Sequence, residues 1–126
     1  MKTAVWLVTG IWLACSTVWA QEPNPYSGTW KMSLVNKKGE HRQGAVIIAD
    51  QEGSWDIERQ DVKNPCVGIR APISINSVSA DELVFEIVRS RSLKGCKDNI
   101  ATLKRVDENT LQGALDDGRT LTLTRE

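Results

Sequence analysis

The run IATLKRVDENTLQGALDDGRTLTLTR, residues 100–125, decides the fold. Within it, apolar side chains alternate with polar ones through 100–106, 110–116 and 119–125. Asp107-Glu108-Asn109 and Asp116-Asp117-Gly118 separate these segments, and Asp, Asn and Gly are the residues that tight turns require. A period of two bounded by such turns is the pattern of half-buried strands joined as hairpins. The run therefore reads as three antiparallel strands in sequence.

The same rhythm extends upstream. Segments 26–35, 42–49, 54–59, 72–78 and 82–89 alternate in the same way, with turns at Asn36-Lys37-Lys38-Gly39 and Asp50-Gln51-Glu52-Gly53. Two stretches, 61–71 and 90–99, break the rhythm. One strand has a rival reading, because Ser79-Ala80-Asp81-Glu82 has capping-box spacing and Leu83, Val84, Ile87 and Val88 share a helical stripe. The β-branched and aromatic content of 83–88 favours the strand. No long helix is available for parallel crossovers, so the sheet is antiparallel and sequential. Eight short strands hide their edges by closing on themselves. The expected fold is all-β: a small antiparallel meander of about eight strands closed into a barrel, with one disulfide.

The chain has 126 residues, 16 basic against 16 acidic, three Cys, five Trp and one His. Its beginning differs in kind from the rest. Lys2 precedes an apolar stretch, 4–14, which is too short for a bilayer core of about 30 Å. Val18-Trp19-Ala20 then places small residues where a signal peptidase reads, so 1–20 is expected to be a secretory signal peptide cut after Ala20. A lipoprotein cut before Cys15 is the lesser alternative, because Trp12 and Leu13 stand where an aliphatic and then a small residue are wanted. Residues 21–25 read as a flexible arm and 26–126 as one domain. The expected location is the periplasm or the exterior. There, Cys66 and Cys96 are expected to form a disulfide rather than stay buried thiols, tying the two irregular stretches across one end. Closing that loop stabilises by about 3–4 kcal/mol in the chain-entropy picture.

Tyr26-Ser27-Gly28-Thr29-Trp30-Lys31-Met32 stands at the start of the first strand. It resembles the Gly-x-Trp signature of calycin-type barrels: lipocalins, fatty-acid-binding proteins and avidin-like proteins. The resemblance implies structural roles for Gly28 and Trp30, with Trp30 closing one end of the barrel. The chain is shorter than typical lipocalins and lacks the helix pair of fatty-acid-binding proteins and the several pocket tryptophans of avidin-like ones. What carries over is an architecture and an expectation of ligand binding, without a ligand.

Few residues suggest chemistry. His41 reads as an exposed turn residue, and Asp116-Asp117-Gly118-Arg119 is explained by its hairpin. No nucleophile, base and orienting group are arranged as an enzyme needs, no set of metal ligands converges, and no cofactor is implied. Balanced charge excludes nucleic acid as the default partner. The inward faces offer Met32, Leu34, Trp55, Ile57, Ile73, Ile75, Leu83, Phe85, Ile87, Leu103, Leu111, Leu115, Leu121 and Leu123. Close packing favours a filled interior. If a pocket exists, Trp55, Ile57 and Phe85 would line it for a small apolar ligand. Arg89, Arg91, Lys94 and Lys97 form a basic loop held by the disulfide. The expected function is an exported, non-enzymatic, lipocalin-like binding protein. The alternative is an inhibitor of an extracytoplasmic hydrolase such as lysozyme, acting through that loop on a protein partner.

Overall fold

Each strand turns its apolar parity inward, and the inward faces meet on one axis. The computed structural model describes residues 10, 24–58 and 63–126. It contains β1 (Gly28–Val35), β2 (His41–Ala49), β3 (Glu52–Ile57), β4 (Ala71–Val78), β5 (Glu82–Ile87), β6 (Asn99–Asp107), β7 (Thr110–Leu115) and β8 (Thr120–Arg125). Every strand pairs antiparallel with the next, and β8 returns to β1, so the sheet is a closed barrel without free edges. Residues 82–87 are strand, and their helical stripe is not used. A one-turn helix, α1 (Arg89–Ser92), follows them. The expected leader, Gly10 apart, lies outside the described residues, as do Arg59 and the following residues to 62.

All fourteen expected core residues except Ile75 are buried. Ile75 is half-buried because it adjoins a bulge, where the β4–β5 register shifts between Ile75 and Ser77. Val46 and Ile48 join the core. The continuous apolar run 45–49 conceals their alternation in the sequence. The third strand begins at Glu52 rather than Ser54, because Asp50 adopts a left-handed φ of 61° and shortens the turn. A tight barrel also needs close approach of neighbouring strands. At Gly113 on β7, a Cβ would lie 1.8 Å from the Thr102 carbonyl oxygen on β6.

One end of the barrel is sealed. Trp30 is fully buried, and its Nε1 donates to the Tyr26 carbonyl at 2.8 Å. The guanidinium of Arg125, from β8, lies 4.2 Å from the centre of the Trp30 ring. Arg125 also donates to the carbonyls of Ser27 (2.9 Å) and Pro25 (3.0 Å). Gly28 makes this approach feasible: it has φ of 137°, and a Cβ there would sit 3.1 Å from Arg125 Nη1. Tyr26 is buried beside Trp30, and its hydroxyl donates to Ser79 O at 2.8 Å. Burial raises its pKa, and the neighbouring Arg105 opposes this. Asn24, assigned by composition to the 21–25 arm, is buried and donates to Asp50 O at 2.8 Å.

The sealed end predicts a specific sensitivity. Arg125→Met keeps the aliphatic stem but removes the charged donors and the ring contact. Urea unfolding should report a loss of about 1.5–3 kcal/mol, the usual worth of hydrogen bonds from a charged group. A variant as stable as the parent would contradict the role given to Arg125.

Candidate functional site

The opposite end is built differently, and the alternation explains how. Followed past the last core residue, the inward parity reaches Asn36 beyond Leu34, Arg89 beyond Ile87, and Arg42 two steps beyond Val46, with Gly44 between. On the other strands it reaches Asn99 before Ala101, Asp117 beyond Leu115 and Arg119 before Leu121. All six line one cavity of about 520 Å³ at this end. Leu34, Trp55 and Ile57 supply apolar wall beneath them. The barrel body holds a continuous cluster of buried apolar side chains, while the mouth keeps a cavity. Such a volume falls within the ordinary range for small-ligand sites.

A polar network organises one side of the mouth. Arg89 is 8% exposed, and its guanidinium lies 5.8 Å from the centre of the Trp55 ring. Its Nη1 donates to the side-chain oxygen of Asn99, and Asn99 Nδ2 donates to Asp116 Oδ1 at 2.9 Å. Burial, and then the nearby charge of Arg119, push the Arg89 pKa below its usual value. The hydrogen bond from Asn99 holds the Asp116 carboxyl below the usual carboxylate range. Arg119 Nε pairs with Asp117 Oδ2 at 2.8 Å, the one salt bridge among the described residues. On the far side, Arg42 Nη1 is buried and has no hydrogen-bond partner among the described residues.

The loops around the mouth are pinned. Cys66 and Cys96 form the expected disulfide, with Cα atoms 5.6 Å apart, between the β3–β4 and β5–β6 connections. Asp98 accepts from the backbone and hydroxyl of Ser90, at 2.9 and 2.8 Å. Ser92 Oγ donates to Arg70 O at 2.6 Å. Of the expected pocket residues, Trp55 and Ile57 line the cavity. Phe85 does not; it packs below, with its ring centre 6.3 Å from that of Trp55. Of the expected basic loop, Arg91, Lys94 and Lys97 are exposed, and Lys97 reaches the cavity rim. Arg89 departs from that expectation because its position continues the inward parity of β5. The sequence reading overlooked Arg42, Asn99 and Arg119, although the same parity marks them.

No protein-family model matches the sequence, and no curated protein matches it. Among solved structures the chain is similar to a redesigned β-barrel, mFAP1, bound to DFHBI. That match has 17% identity and a TM-score of 0.52, covering 80% of this chain and 95% of that one. It is also similar to a de novo designed fluorescence-activating β-barrel, at 18% identity and TM-score 0.50, over 80% of this chain and 94% of the other. A second redesigned β-barrel matches at 18% and 0.50, over 81% and 92%. The likeness is one of fold. It supports the small-barrel part of the resemblance carried by Gly28 and Trp30, and at these identities it shows no calycin family.

The disulfide spans 30 positions of sequence. Cys66→Ala with Cys96→Ala should lower unfolding stability by about 3–4 kcal/mol in the chain-entropy account. Amide exchange in 63–70 and 88–98 should quicken with it. Unchanged stability and exchange would show that the other pins suffice to hold the mouth.

Proposed function

We propose that this protein is an exported, non-enzymatic binding module that holds a small ligand in the open mouth of its barrel. The observation that carries the reading is the asymmetry of the two ends. One end is sealed by Trp30, Tyr26 and Arg125, while the other keeps a cavity of about 520 Å³ above Trp55, braced by a disulfide. Pinned loops lower the ordering cost of binding, so a shallow site retains more of its contact energy. The neighbour mFAP1 was solved bound to DFHBI, which supports the capacity of such small barrels to take a ligand. The inhibitor reading keeps Arg91 and Lys94 on the surface but loses Arg89 to the mouth, and the cavity is the stronger feature. Export rests on the apolar stretch 4–14 and the site at Ala20, and it suits the disulfide.

Two measurements test this. A set of small molecules, charged and neutral, screened by amide chemical shift should perturb Gly68, Gly95, Asn99 and the Trp55 indole together. Shifts confined to the sheet exterior, or no shifts at all, would refute the mouth as a site. Intact mass of the exported protein should match residues 21–126 less two hydrogens for the disulfide. Retention of the first twenty residues would refute the export reading.

A further inference from the structure

The chemistry of the mouth also states what kind of ligand fits it, an inference that rests on the reading of the mouth as a binding site. The six-residue layer contains three arginines and one aspartate, and Glu40 and Lys97 stand on the rim of the same cavity. Asp117 is taken by Arg119, and Glu40 accepts from Asn36 Nδ2 at 3.3 Å rather than pairing with an arginine. Arg89 is bonded to a neutral amide, and neither it nor Arg42 has a carboxylate in salt-bridge reach among the described residues. Arg42 additionally leaves a buried nitrogen without a hydrogen-bond partner among the described residues. A buried donor without an acceptor is costly, and an oxyanion supplies the acceptor that Arg42 lacks and a counter-charge within reach of both cations. Beneath the charges lie Leu34, Trp55 and Ile57, which cannot satisfy a polar group.

We infer that the mouth binds a small amphipathic organic acid, its carboxylate held among Arg42, Arg89 and Arg119 and its aromatic or apolar body against Trp55. Arginine is suited to this because its planar fork matches a carboxylate, and it remains cationic under ordinary conditions. The apolar ligand expected from the core residues alone is thereby replaced by an acid. Asn99 has a positioning role: it holds Arg89 from one side and is itself held by Asp116.

The test titrates three probes into the disulfide-bonded protein and follows amide and Trp55 indole shifts. The probes are 2-naphthoate, its uncharged counterpart 2-naphthamide, and inorganic phosphate. The expected result is mouth-localised binding of naphthoate at least about tenfold tighter than of either other probe. Equal binding of the amide would overturn the acid assignment while leaving the mouth as a ligand site. Equal binding of phosphate would overturn the role given to Trp55 and the apolar wall. Mouth shifts with neutral molecules of the screen but none with naphthoate would overturn the acid alone, and no mouth shift with any molecule would overturn the underlying reading as well.

Arg42→Met supplies a readout that a structural residue would not give. It should weaken naphthoate binding at least about tenfold and raise Tm, since it removes a buried nitrogen that has no partner among the described residues. A Tm that falls, or affinity that is unchanged, would overturn the assignment of Arg42.

Discussion

The stacking of the Arg125 guanidinium on the Trp30 ring joins the two ends of the domain. Arg125 closes β8 and Trp30 stands near the start of β1, so this contact reinforces the ladder that closes the barrel. It also orders the segment before β1, because Arg125 donates to the carbonyls of Pro25 and Ser27. A charged group at a buried ring is tolerable when its donors find acceptors; two of the five N–H groups of Arg125 go to these carbonyls, and the half-buried side chain remains open to solvent. Gly28 permits the approach by leaving space where a Cβ would stand. Removing any one of the three residues leaves the others poorly packed or poorly bonded.

With one end sealed, the other is free to differ. Arginine occurs on the inward parity at both ends but serves opposite purposes. Arg125 is capped by carbonyls and an aromatic face and finishes the core. Arg42 and Arg89 face a cavity, one with a buried nitrogen that has no partner among the described residues and the other bonded to a neutral amide. A fold optimised for stability alone would replace Arg42 with an apolar residue. Its presence in an otherwise consistent barrel is what supports the proposal of a binding site at the mouth.

The barrel was legible because alternation with a fixed period leaves little freedom once turns are located. Leu111, Leu115, Leu121 and Leu123 fix the inward face of the last two strands. The disulfide was legible from the expected compartment and from the pair of cysteines, Cys66 and Cys96, that lies outside the expected leader. The site was harder. Arg89 sits in a stretch dense with Arg91, Lys94 and Lys97, so charge density pointed outward while register pointed inward, and register prevailed. Arg42 is separated from Val46 by Gly44, which hides its membership of the inward set. Asp117 and Arg119 are satisfied by hairpin chemistry, and nothing local signals that the same residues border a cavity. Phe85 was placed in the pocket because its parity is inward. Depth along the axis, which parity does not encode, puts it below Trp55.

The account stands on the sealed end being the firmest part of the molecule and the mouth the part that opens locally. Native-state hydrogen exchange of the Trp30 indole Nε1–H measures this directly, since that proton is buried and bonded to the Tyr26 carbonyl at 2.8 Å. Exchange there should require global unfolding, giving a protection free energy equal to the total stability, while amides of 63–70 and 88–98 exchange through smaller openings. An indole proton that exchanges more readily than the amides of β1 and β8 would contradict the account.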